Sequence, residues 1–331
     1  MALPPAPASV VAAEEKASGA HQRSHARTPK HPRHHGSFKL FLSIAPFLLL
    51  VVLFSYLPLL GWVYSLFDFR PARGLANSEF VGLQWFRMLV QSPTQLHQIL
   101  RVLANTLGMS FLGIATSVLP LGFAVLLNEI QAKWFKNLVQ TLTTLPNFIS
   151  WVLVYMIAFA LFSSTGMVNS TMLSLGLIDV PIKFLDSESH VWLKMTAWGL
   201  WKGLGWGSIM YLAAISGIDQ SLYESAKVDG AGRFRTMWSI TIPQLLPTYF
   251  VLLMLSVANI LNNGMEQYYV FQNAFNKEHI EVLDLYVYNI GMGGNNLSLA
   301  TAISMLKSLI SVALLLTVNG LSKRLRGTSL I

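Results

Sequence analysis

Two lysines stand inside otherwise uncharged apolar runs: Lys202 between Met195 and Ile218, and Lys307 between Leu297 and Leu321. An ammonium in hydrocarbon costs about 2.5–3.5 kcal/mol on insertion scales, so each must face a cavity or a partner. Lys202 lies too near the middle of its run to reach water easily. Lys307 has two acidic candidates, Glu266 and Asp284. Each lysine reads either as half of a structural ion pair or as a group that meets the carboxylates of an anionic ligand. Asn259, Asn262, Asn263 and Gln267 gather with Glu266 at the end of another apolar run. Amides there suit ligand hydroxyls, and they equally satisfy backbone at a helix break. Trp198, Trp201 and Trp206 flank Lys202; indoles can stack on the flat face of a ligand or anchor a helix at an interface. Gly199, Gly203 and Gly207 recur at i, i+4, i+8 and predict a small-residue face for close helix packing.

No sequence of the GxxxxGK[ST], HExxH or GxSxG type occurs, so neither phosphate-loop ATP hydrolysis nor the common hydrolase chemistries are expected. The 331 residues include no cysteine, which removes thiolate catalysis and Cys-based metal sites. No metal site is expected.

The elements that hold these residues follow from composition. The chain is 53% hydrophobic and 11% charged, against about 25% charged in an ordinary soluble domain. The expected fold is an all-α integral membrane protein with six transmembrane helices, because a spanning helix needs about 20 apolar residues. The runs are Leu40–Phe67, Val102–Asn128, one within Asn137–Phe162, one within Met195–Ile218, one within Leu245–Gly264 and one within Leu297–Leu321. They are continuous rather than alternating, which excludes barrel strands.

Fourteen lysines and arginines fall on the side of the termini and seven on the other, so both termini are expected in the cytoplasm. Residues 1–36 read as a disordered basic tail, with 37–331 as the transmembrane domain. Five of the eight histidines lie in that tail; they could capture metal, but a solvated tail that holds orientation is the reading adopted. A cleaved signal peptide is not expected, because the first apolar run is too long. The net charge of +8 is placed by this topology, so nucleic acid is not an expected partner. Three outer loops, Asp68–Arg101, Ser163–Lys194 and Met265–Asn296, are too long for simple connectors. They are expected to fold over the mouth of the bundle.

The cytoplasmic loop 217–244 carries the most punctuation. Ser221-x-x-Glu224 predicts a capping box and a short helix through about Val228. Gly230 and Gly232 are expected to stop it by taking positive φ. A second short helix is expected over Phe234–Ile240, ended by Pro243, with Pro247 in the first turn of the next span.

The pattern Glu224-Ser225-Ala226-x-x-Asp229-Gly230-Ala231, then Ile240-x-Ile242-Pro243-x-x-x-Pro247, resembles the "EAA" loop of binding-protein-dependent ABC importer permeases. Ser225 stands where Ala is usual, Met237 where Phe is common and Ile242 where Leu is common. The region Trp198–Gly207 resembles the carbohydrate-importer branch. Asn262–Gln267, Asp284–Tyr288 and Ala300–Ser308 are similar to polysaccharide permeases, with wording nearest to membrane subunits of alginate importers. The resemblance implies that Glu224, Ser225, Ala226, Asp229, Gly230, Ala231, Ile240 and Pro243 couple to an ATPase. Glu224 would meet a basic group there. It also implies two ATP-binding cassette subunits, a second homologous permease, a periplasmic solute-binding protein and a home in the bacterial inner membrane. ATP and Mg would sit on the ATPase subunits, leaving this chain without cofactor or catalytic residues. The implied cargo is an oligo- or polysaccharide, taken as acidic (alginate or another uronate). The alternative is a secondary transporter of sugars or anions with no ATPase partner.

Overall fold

A computed structural model describes residues 35–326, with side chains from 41 to 324. The tail expected over 1–36 lies outside the described residues except for His35 and Gly36, which already belong to the first helix. The chain divides into two units, ending and beginning at Leu59 and Leu60. The first holds helix α1 (His35–Val51), which passes into a π turn at Val52–Tyr56. From Phe41 to Leu59 every side chain but that of Ala45 is exposed, Phe47 and Phe54 among them, as suits a helix whose solvent is lipid.

The second unit runs through α2 (Gln84–Gln91), α3 (Pro93–Ala115), α4 (Val118–Asn128), α5 (Lys133–Thr144), α6 (Trp151–Phe162), α7 (Met167–Ser174) and α8 (Val191–Ser216). It continues with α9 (Gln220–Val228), α10 (Arg233–Thr236), α11 (Ile242–Ala258), α12 (Glu266–Phe271), α13 (Lys277–Ile280), α14 (Leu283–Tyr288) and α15 (Leu297–Arg326). No strand is present among the described residues beyond a single bridge between Phe67 and Phe80. Five stretches are long and apolar enough to cross a membrane: Phe41–Leu66, Pro93–Asn128, Trp151–Ser174, Arg233–Ala258 and Leu297–Arg324. The fourth expected span does form one helix, α8, of 26 residues, about 39 Å at 1.5 Å per residue. Its lysines, tryptophans and glycines lower its hydropathy, so its length qualifies where its composition does not.

Two expected spans are not single helices. The second is broken at Thr116–Ser117 between α3 and α4. Pro120 explains the position, since its ring cannot share space with the carbonyl four residues earlier. The third is interrupted by a 3-10 turn at Leu145–Phe148, and its apolar crossing stretch begins only at Trp151. Pro146 sits at the start of that turn, and the Ser150 hydroxyl caps α6 by accepting from the Leu153 N–H at 3.4 Å.

The segment 265–296, expected as an outer loop over the mouth of the bundle, is core rather than cover. Ile280, Val282 and Leu285 are fully buried and pack with Met109, Val154, Val191 and Phe271. Asn105 on α3 donates its amide to the carbonyls of Glu278 (2.8 Å) and Glu281 (3.1 Å), and Thr106 Oγ1 accepts from Leu283 N–H at 2.8 Å. Arg101 adds a contact with Glu278 at 3.1 Å.

The glycine stripe of α8 meets expectation only at Gly207, where a Cβ would touch the Pro120 ring of α4 at 3.4 Å. A Cβ on Gly203 would meet nothing within 4 Å, and one on Gly199 only the Gln267 amide oxygen at 3.7 Å. The most tightly packed glycine lies off the stripe, at Gly205, where a Cβ would fall on the Thr143 carbonyl of α5. Backbone cannot yield as a flexible side chain does. Gly205→Ala is therefore expected to cost about 1–3 kcal/mol through overpacking, while Gly203→Ala is neutral. Thermal unfolding of the two variants in detergent checks this: only the first should lower the midpoint.

Candidate functional site

The loop 217–244 and a polar cleft are the two places where candidate residues gather. In the loop, the EAA-like signature turns out to be the closing turn of a helix. α9 ends at Asp229, and Ala231 N–H bonds the Ala226 carbonyl at 2.8 Å while Gly230 N–H bonds that of Lys227 at 3.2 Å. That 6→1 and 5→2 pair is a Schellman cap, which needs a left-handed residue at its centre. Gly230, at φ +72°, supplies it. Gly232 does not take positive φ as expected; at −71° it precedes α10 in extended backbone.

The start of α9 also departs from expectation. Asp219, not Ser221, is the N-cap, and its Oδ1 accepts from Ser221 N–H at 2.9 Å. The Ser221–Glu224 capping box is not formed. Glu224 is left exposed, with no ion pair or hydrogen bond among the described residues, and Ser225 lies exposed beside it. Beyond α10 the helix does not end at Pro243. It continues through a π turn at Met237–Thr241 into α11, so Arg233–Ala258 is one uninterrupted helix with Pro243 in its first regular turn and Pro247 inside it. The wider π turn opens room where the Pro243 ring would otherwise press on a carbonyl. Ile240 sits half-buried on that turn and Pro243 is exposed just after it. Tyr223 and Thr241 share a hydroxyl hydrogen bond of 3.1 Å, which joins α9 to the turn. Leu222, Val228 (88% exposed), Phe234 (76%) and Trp238 (68%), on the helices before and after the cap, stand uncovered. Such a patch on a polar face marks a contact surface.

The cleft opens where α3 breaks into α4. It encloses about 330 Å³ and is lined by Ser110, Gly113, Thr116, Ser117, Met195, Thr196, Gly199, Gly203, Asn263, Gln267 and Tyr268 among others. Of the expected path residues, it collects Asn263 and Gln267. Ser110 donates its hydroxyl proton to the Ile260 carbonyl at 2.6 Å and shares it with Asn263 Oδ1 at 3.1 Å. Gln267, 9% exposed, donates Nε2 to the Met195 carbonyl at 2.7 Å, which leaves its oxygen toward Gly199. Ser110, Thr116, Ser117 and Thr196 were not singled out from sequence; Pro120, which locates the helix break, was the available signal.

Other candidates lie elsewhere. Trp198 packs edge-on against Trp201 (5.8 Å between centroids) and Phe162 (6.0 Å). Both tryptophans line a separate apolar cleft of about 300 Å³ with Phe184 and Lys194. Lys202 donates Nζ to the Asn147 carbonyl at 2.7 Å and stands 5.4 Å over the Trp151 ring, so it serves the break in the third span. Lys307 pairs with Asp284, one of its two expected partners. Asn259 and Asn262 bond one another at 3.2 Å on an exposed turn, and Glu266 is exposed in the first turn of α12.

Hydrogen bonding by Ser221 N–H and hydroxyl holds the Asp219 carboxyl below its ordinary value. A depressed carboxylate contributes stability that is present above its unfolded value and lost as pH falls through the folded one. The protection factor of the Ser221 amide, with the intrinsic pH dependence of exchange divided out, should therefore fall in acid below the usual carboxylate range. At neutral pH, Asp219→Ala should lower it several-fold and Asp219→Asn should leave it nearly unchanged, since Asn caps as well.

Comparisons with known proteins bear directly on this arrangement. A family model described as "Binding-protein-dependent transport system inner membrane component" matches residues 116–327. Protein LplB of Bacillus subtilis (strain 168) is 36% identical over 287 residues, covering 86% of this chain and 88% of its own. The polygalacturonan/rhamnogalacturonan transport system permease protein YteP of the same strain is 37% identical over 294 residues, with the same coverage of 86% and 88%. Among solved structures, a chain of a bacterial ABC transporter involved in the import of the acidic polysaccharide alginate superposes with a TM-score of 0.77 at 30% identity. That match covers 88% of this chain and 98% of the other. The helices thus follow a known fold, and the chain belongs to the family of binding-protein-dependent transport system inner membrane components.

Proposed function

We propose that this sugar ABC permease forms half of the translocation pathway for an acidic oligo- or polysaccharide, alginate or another uronate. Two named relatives support the acidic class: a permease for polygalacturonan and rhamnogalacturonan, and the importer of the acidic polysaccharide alginate. The alginate transporter is also known in complex with an alginate pentasaccharide-bound periplasmic protein, which supports delivery of cargo here by a binding protein. The single observation that carries the reading is the uninterrupted helix Arg233–Ala258. It starts on the exposed face around Glu224 and ends at the turn that brings Asn263 to the cleft.

Movement at the Arg233 end would pass along this helix toward the cleft, with the π turn at Met237–Thr241 and Pro247 as the places where it can bend. Two ATP-binding cassette subunits, holding ATP and Mg, would grip the α9–α10 face, with Glu224 meeting a basic group and the apolar side chains filling a cleft. Their closure would rock the bundle and expose the polar cleft to cargo released outside; hydrolysis would reset it. A second homologous permease would complete the path. Both termini lie in the cytoplasm in this scheme, as the 14-to-seven distribution of basic residues favours. The chain itself performs no catalysis. Ser110, Thr116, Thr196, Asn263 and Gln267 offer donors and acceptors for sugar hydroxyls, while Lys202 and Lys307 are already engaged by Asn147 and Asp284.

The test is ATPase activity of the assembled complex in lipid, with uronate or neutral oligosaccharides and the matching binding proteins, for wild type and Glu224→Lys. Uronates should stimulate hydrolysis several-fold, and the substitution should abolish the stimulation. Stimulation by neutral sugars alone would retain the permease and discard the acidic cargo. Failure to associate with any ATPase would favour a secondary transporter. Lys202→Met should leave the ratio of uronate to neutral stimulation unchanged.

A further inference from the structure

The Lys307–Asp284 pair does more than neutralise a charge between helices. Asp284, on α14, uses one carboxylate oxygen for the Lys307 ammonium of α15 and the other for Gly264 N–H, at 2.9 Å. Gly264 is the turning point after α11, at φ +73°, a conformation only glycine takes without strain. The residue before it, Asn263, and the residues three and four after it, Gln267 and Tyr268, all line the polar cleft. The side chains of Lys307 and Asp284 are 13% and 22% exposed, so the pair is largely shielded.

We infer that Asp284 is a positioning residue for the cleft: its carboxylate holds the Gly264 amide and so sets where Asn263 and Gln267 stand, while Lys307 orients and neutralises it. The turn is the outer end of the helix that begins at the Glu224 face. Without a fixed point there, motion of that helix would be lost in an unlatched turn rather than passed to the cleft. The inference rests on the proposed role of the cleft as the sugar path.

Two double variants separate the hydrogen bond from the charge pair. Asp284→Asn with Lys307→Met removes both charges but keeps an acceptor for Gly264 N–H. Asp284→Leu with Lys307→Met removes the acceptor too. Replacement of a shielded ion pair by packed uncharged groups is generally tolerated, and basal ATPase of the complex reports assembly. The Asn/Met variant should keep the half-saturating concentration of loaded binding protein within about twofold of wild type. The Leu/Met variant should raise it about tenfold, the scale of one charge-independent hydrogen bond.

The chain has no native cysteine, so Asn263→Cys can be followed by thiol labelling in each background. Its labelling rate should change at least threefold in the Leu/Met background and little in Asn/Met. Equal labelling and equal half-saturation in the two backgrounds would overturn the positioning role, and so would equal labelling alone if Leu/Met assembled poorly. If labelling differs as expected but oligosaccharide never protects the thiol of wild-type-background Asn263→Cys, the sugar-path reading fails and the positioning role stands.

Discussion

A helix interrupted inside an apolar layer leaves carbonyls and amides that water cannot reach, and each unsatisfied group there costs several kcal/mol (about 1–3 in protein mutational data). The interior of this permease depends on side chains placed to meet that demand. Lys202 covers the carbonyl at the Leu145–Phe148 turn, Ser110 the carbonyl of Ile260, and Asn105 those of Glu278 and Glu281. Remove this set, and neither the broken spans nor the buried outer segment could hold their shape.

The same need explains why the cleft lies where it does. Pro120 forces the break at Thr116–Ser117, and the break separates α3 from α4 just where α8 presents Gly199 and Gly203. Glycines that meet nothing leave a cavity, whereas Gly205, a few residues on, brings α8 against the Thr143 backbone. One helix therefore packs tightly on one side and stands off on another. In the cleft Gln267 satisfies backbone with its amide nitrogen and keeps its oxygen toward the cavity, whereas both ends of the Asn263 amide are engaged, by the Thr106 carbonyl and by Ser110.

The loop 217–244 shows the complementary logic at the water-facing end. Its signature residues are legible as backbone geometry: Ala226, Gly230 and Ala231 build the Schellman cap, and Asp219 begins the helix that the cap ends. With both ends fixed by backbone bonding, Glu224 and the neighbouring apolar side chains are free to face outward. Rigid local structure and an unpartnered surface are what a docking element requires, because binding then spends little on ordering.

The sequence by itself determined the membrane class, the approximate spans, the presence of the loop and the likeness of its wording to importer permeases. Those features depend on local properties: apolar run length, charge sidedness, and glycine and proline at turn positions. Which glycines pack, which lysine meets which partner, and which of the amides reach the cleft were decided only by tertiary structure. Gly199, Gly203, Gly205 and Gly207 are alike in sequence, and only the positions of the Thr143 carbonyl and the Pro120 ring tell the packing pair from the open pair. Glu266 and Asp284 were equal candidates for Lys307 until the fold of the 265–296 segment put Asp284 beside it. The expected end of a helix at Pro243 gave way to a π turn because α9 and Thr241 hold the chain in line there. Local chemistry sets what each residue can do; long-range packing, through burial and backbone satisfaction, selects which of those things it does.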